Sequence, residues 1–78
     1  MPITRQDFER AEGGDLFIDA HGQEWHILKR LSHGLMPGVS VRRGDWTDRL
    51  YWQDNQILDI DHKCVNELIR QEAKFVPA

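Results

Sequence analysis

Four histidines and a single cysteine are the residues with which this chain could hold a metal. His21 and His26 stand five apart, His33 follows seven later, and His62 and Cys64 are two apart. A structural zinc site draws on Cys-x-x-Cys or His-x-x-x-His pairs, and no pair here has that spacing. On a strand His62 and Cys64 would share a face; on the first turn of a helix they would point about 200° apart. We therefore expect surface histidines, a thiol at the edge of the core, and neither metal nor other cofactor.

Nucleophilic catalysis has equally little to work with. It would need Ser32, Ser40 or Cys64 beside a histidine that is itself held by an acid. Ser32 and His33 are adjacent, which on an extended chain points them apart. Asp59 and Asp61 could flank a cleft, but Asp61 has a sufficient role as a helix cap. No glycine-rich phosphate cradle is present, and 78 residues leave little room for a pocket of several hundred Å³. The sequence reads as that of a non-enzyme.

The strongest signal is arginine interleaved with aromatic residues. Val39 to Ile60 holds two of the three tryptophans and the only tyrosine. Arg42, Arg43, Trp46, Arg49 and Tyr51 fall close together within it, followed by Trp52, and Lys29 and Arg30 lie on a neighbouring strand. Such sets build stacking platforms for nucleic-acid bases. They also build the hot spots of protein interfaces, which favour Trp, Tyr and Arg. Asp45, Asp48 and Asp54 sit among them and would repel a phosphate backbone, so a protein partner is favoured over a nucleic acid. Strand phase divides the set: Arg42, Arg49 and Tyr51 should share an outer face, out of phase with Val41 and Trp52. Trp52, in phase with Leu50, should face the core with Ile18, Val41 and Leu68. Trp46 stands beside a turn, where burial is harder to arrange; if exposed it is an interface anchor with Arg43 and Arg49 around it, and otherwise it fills the core while the arginines are solvated or paired to the aspartates. Arg43-Gly44-Asp45 spells an integrin-binding tripeptide, read here as a turn.

The elements that must position these residues follow from periodicity. Val39 and Val41, and Leu50 and Trp52, have strand spacing, with turn formers at Gly44-Asp45 and Asp54-Asn55. Three strands are expected at about 38–44, 48–53 and 56–60. Upstream, Thr4 can cap a short helix, with Asp7 in a capping-box-like place and Gly13-Gly14 as the stop. Asp15 to Ala20 alternates as a strand, with Leu16, Ile18 and Ala20 on one side and Asp15, Phe17 and Asp19 on the other. His21-Gly22 is a hairpin turn, and residues 23–31 continue as a strand, although Ile27, Leu28 and Leu31 also have helical spacing. Ser32 to Gly38 is a loop, with Leu35 and Met36 tucked over the core. From Asp61, as N-cap, a second helix of about 14 residues carries Val65, Leu68, Ile69 and Phe75 on one face until Pro77. No internal repeat is visible. The fold expected is α+β over residues 1–78: a small, strongly bent antiparallel sheet or open barrel of about five strands between two helices, ordered α-β-β-β-β-β-α.

Composition sets the frame. A chain this size buries only about 60–65% of its unfolded surface, so it supports one small core. Ten basic and thirteen acidic residues give a net charge of −3, unlike a protein dominated by phosphate contacts. No apolar run approaches the roughly 20 residues that span a bilayer, so no membrane partner is expected. The N-terminus lacks the apolar core of a secretory signal, and one cysteine makes no internal disulfide, so a cytoplasmic setting is expected. Small acidic chains of this kind include adaptors, assembly factors and inhibitors, among them ones carried by bacteriophages, an analogy of size alone.

Overall fold

A computed structural model describes residues 2–33 and 36–78, with Ser32 and His33 described by their backbone alone. The elements are α1 (Arg5–Arg10), β1 (Leu16–Ile18), β2 (Glu24–His33), β3 (Met36–Arg43), β4 (Trp46–Gln53), β5 (Gln56–Leu58), a 3-10 turn at Asn66–Leu68, and β6 (Lys74–Val76). The six strands form one antiparallel sheet in the order β5-β4-β3-β2-β1-β6, strongly curled into a half-barrel. Among the described residues the protein is thus mostly β, with one short helix.

Alternation explains the hollow side. Phe17, Trp25, Ile27, Val39, Val41, Leu50, Trp52 and Ile57 all point inward and are buried. The helix closes this side with Phe8, which is fully buried, stacks on Phe17 at 5.9 Å and meets Trp52 at 6.0 Å. Thr4 and Asp7 form the expected capping box, each side chain accepting from the other's backbone N–H. The helix ends at Ala11, ahead of the glycine pair. Gly13 instead lies against β2, where an added Cβ would come within 2.8 Å of the Leu28 carbonyl oxygen. Beside it the β2–β3 register shifts between Ile27 and Lys29, a bulge that leaves Leu28 about half exposed.

Four expectations need correction. The C-terminal helix is replaced by the 3-10 turn and β6. One such turn already buries Val65 and Leu68, and an isolated helix of about 14 residues has little stability of its own. The chain then returns to the open edge of β1, pairing Phe75 with Phe17 at 5.7 Å between ring centroids. Asp61 accordingly caps no helix; it lies inside a turn organised by Asp59. In β1 the other face goes inward, with Phe17 fully buried and Leu16 and Ile18 half-buried outside, so Ile18 is no neighbour of Trp52 in the core. Both faces of this strand carry apolar groups, so alternation alone left its direction open. Burial of Asp15 and Asp19 beside Phe17 is tolerable because both carboxylates are hydrogen-bonded; Asp15 accepts from Glu12 N at 3.0 Å and Ala78 N at 2.8 Å.

The fourth concerns the expected loop at Ser32–Gly38. Both strands run through most of it, pairing Leu31 with Gly38 and His33 with Met36, and Met36 is exposed. Gly34 and Leu35, and so the expected tuck of Leu35, lie outside the described residues. The turns at Gly44-Asp45 and Asp54-Asn55 fall as read: Gly44 takes φ +63° in a two-residue loop, and Asp54 and Asn55 are both left-handed.

Candidate functional site

Register decides where the arginines and aromatics go. Arg43 pairs with Trp46 and Ser40 with Arg49, while Gly38 pairs with Tyr51. Arg42, Arg49 and Tyr51 therefore share the outer face, as their phase requires. Tyr51 lies over Gly38, where an added Cβ would sit 2.9 Å from its ring. Arg43 and Trp46 are on the opposite, core-side face. The five residues do not form one site, and Arg49 does not flank Trp46.

On the core side, the phase that buries Leu50 and Trp52 carries Trp46 and Asp48 past the end of the core to the mouth of the half-barrel. Trp52 is 7% exposed and Trp46 is 68% exposed. Trp46 borders a cleft of about 130 Å³ together with Trp25, Arg43, Asp48, Asp59 and Glu67; Val41, Cys64 and Val65 complete its walls. A shallower groove beside it is lined by Trp46 with Asp45, Asp48, Asp59, Asp61 and Lys63. Cys64 is exposed, not at the core edge as its residue type suggested, and its thiol meets Asn66 Oδ1 at 2.7 Å. No family model, curated protein or solved structure matches the chain.

Asp59 lines this mouth and Asp19 stands buried behind its Trp25 wall, and each is built into the same turn. Asp19 Oδ1 accepts from the backbone of His21 at 2.9 Å and Gln23 at 3.0 Å. Asp59 Oδ1 accepts from Asp61 and Lys63, both at 2.9 Å. In each turn the aspartate N–H donates to the carbonyl four residues on, and its own carbonyl accepts from the residue three on. The position before the last is left-handed in both, Gly22 at +79° and His62 at +63°. The hairpin at His21-Gly22 is thus wider than two residues, and a repeated unit exists that the sequence conceals.

The two turns differ in what meets the second oxygen. Asp19 Oδ2 accepts from Trp25 Nε1 at 3.0 Å, so the indole is locked in place. Burial pushes the Asp19 carboxyl upward, but the Trp25 indole N–H, the backbone N–H groups of Gln23 and His21, and the charge of His21 outweigh it, leaving its pKa below the ordinary value of 3.8. At the place corresponding to Trp25 the second turn has Val65, which has no donor, and Asp59 Oδ2 has no hydrogen-bond partner among the described residues. The Arg43 guanidinium lies 4.6 Å over the Trp25 ring, a cation–π contact that fills that aromatic face.

Trp25 and Glu67 are site residues that spacing did not reveal, whereas Asp59 and Asp61, which the sequence offered as carboxylates that could flank a cleft, both border the groove. The turn repeat left little trace in sequence: Asp19-Ala20-His21-Gly22-Gln23 and Asp59-Ile60-Asp61-His62-Lys63 share only their aspartate, at the position that organises the turn. Among the described residues no group of three or more His, Cys, Asp or Glu is arranged to hold a metal ion, and no helix is long and apolar enough to cross a membrane.

Proposed function

We propose that this protein is a small non-enzymatic binding module that acts by protein–protein interaction, as an adaptor, assembly factor or inhibitor, through the mouth around Trp46. The observation that carries this is an indole 68% exposed beside a cleft, in a chain that buries its other two tryptophans. Tryptophan is the residue most enriched at interface hot spots, and it works there against a rim that excludes water. The cleft of about 130 Å³ accepts one side chain of a partner, and the open groove of about 590 Å³ beside it has room for the segment that carries it. A cytoplasmic setting suits the exposed, unpaired Cys64.

Comparing Trp46→Ala with Trp52→Ala tests this. Trp52→Ala should lose about 3–5 kcal/mol, most of the stability of so small a domain. Trp46→Ala should stay within about 1 kcal/mol of the parent and abolish retention of the partner from a native lysate at micromolar concentration. Retention undiminished by Trp46→Ala, or no partner held by the parent protein, rejects the proposal.

The outer face supports a second reading, nucleic-acid binding. Lys29, Ser40 and Arg49 form one cross-strand row and His26, Arg42 and Thr47 the next, with Glu24 Oε2 3.8 Å from His26 Nε2 at its edge. Of the aspartates that argued against phosphate, Asp45 and Asp54 lie in turns, while Asp48 borders the groove that Lys29, Ser40 and Arg49 line. Binding there would weaken steeply with salt as counterions are released. Fluorescence anisotropy with short single- and double-stranded oligonucleotides decides it; no binding at low salt ends this reading.

A further inference from the structure

We infer that the mouth takes a lysine or arginine side chain from a basic segment of the protein partner, with Asp59 as its ion-pair acceptor and Trp46 as the aromatic wall beside it. This rests on the binding reading above and adds the partner's chemistry.

The repeated turn supplies the first argument. In the Asp19 turn the carboxylate is aimed by two backbone amides and spends its second oxygen on the Trp25 indole N–H. In the Asp59 turn the same two amides aim the same carboxylate, but the donor is missing, because Val65 stands where Trp25 would. A fixed acceptor with an open oxygen at a cleft is suited to an N–H donor from outside the chain, and a charged donor makes the stronger hydrogen bond.

Charge distribution supplies the second. The cleft and its neighbouring groove carry five carboxylates, those of Asp45, Asp48, Asp59, Asp61 and Glu67, against only Arg43 and Lys63. Elsewhere the chain holds eight acidic and eight basic residues, so the whole net charge of −3 resides at this mouth. Such a field draws in a basic segment and rejects an acidic one. The aromatic surroundings agree, since Trp25 already carries a guanidinium on its face and Trp46 offers a second, unoccupied indole.

The test uses the full chain and a short Gly/Ser peptide bearing two lysines, with two-arginine and two-glutamate counterparts. Titrations are followed by NMR through the Trp46 indole and backbone amides. The lysine and arginine peptides should shift Trp46 and the Asp59 turn, and the glutamate peptide should not. Trp46→Ala and Asp59→Asn should each weaken binding by about tenfold. Asn keeps the acceptor oxygen for both amides, and the spectrum of the free variant shows whether the turn is intact. Asp54→Asn, which removes a charge at the β4–β5 turn, should leave binding unchanged. Equal binding of the glutamate peptide, or no loss in Asp59→Asn, overturns the inference. If a native partner is held through Trp46 while basic peptides fail, the basic-side-chain inference falls and the binding reading stands. If basic peptides bind through Trp46 and Asp59 while no native partner is held, the functional reading falls and the site's chemistry stands.

Discussion

The Asp19 and Asp59 turns have one backbone and two roles. Each closes with the same four hydrogen bonds and the same left-handed position. Around Asp19 the second oxygen is consumed by Trp25, and the carboxylate becomes a strut of the core wall, 3% exposed. Around Asp59 the matching neighbour is an aliphatic side chain, and the carboxylate lines an open mouth. The difference lies in the residue that follows each turn, since the turn itself is unchanged. A local motif therefore determines where a carboxylate points, and its partner across the hairpin determines whether it is structure or site.

The largest test of this contrast replaces the neighbour. Trp25→Ala should cost about 3–5 kcal/mol, because it removes a buried ring and strands a buried acceptor. Val65→Ala, at the corresponding place, should cost about 1–2 kcal/mol, since a smaller group is removed and nothing polar is orphaned. Chemical denaturation of both would show it, and equal losses would mean the two hairpins do not differ as described.

Next in size are the aspartates themselves. Asp19→Ala removes an acceptor of three hydrogen bonds in a buried setting and should cost about 2–4 kcal/mol; Asp59→Ala removes two at a half-exposed site and should cost about 1 kcal/mol. The pH dependence should differ in the same sense. Asp19 has its folded pKa held below 3.8, so its contribution is present above that value and is lost as pH falls from there through the lower folded-state pKa. Urea denaturation at successive acid pH values should show the parent losing this stability, and Trp25→Phe, without the indole donor, should lose less over the same interval. An unchanged slope in Trp25→Phe would remove the indole from the account.

The smallest effect exchanges the left-handed residues. His62 adopts φ +63° where the first turn has Gly22, so His62→Gly should relieve backbone strain. Glycine's freer unfolded chain offsets part of that gain, and a net stabilisation of about 0.5 kcal/mol is expected. A melting temperature lowered by this substitution would show that the His62 side chain contributes contacts that outweigh the strain.

Local signals settled much of this protein. The Thr4–Asp7 capping box, the turns at Gly44-Asp45 and Asp54-Asn55, and the inward phase of Val39, Val41, Leu50 and Trp52 were legible because each depends on residues a few positions apart. So was the outer placement of Arg42, Arg49 and Tyr51, whereas the sequence left open whether Trp46 emerges beside its turn. The tertiary structure decided whatever needed a distant partner. It turned β1 so that Phe17 meets Phe8 and Phe75, and drew residues expected in a helix into a 3-10 turn and an edge strand. It also placed Arg43 over Trp25 and parted Trp46 from Arg49. The repeat is not legible in sequence because backbone hydrogen bonds and two left-handed residues define it, while its side chains differ at every position except the aspartate. A carboxylate's second oxygen finds a donor, or is left facing a cleft, only when the strand across from it is in place.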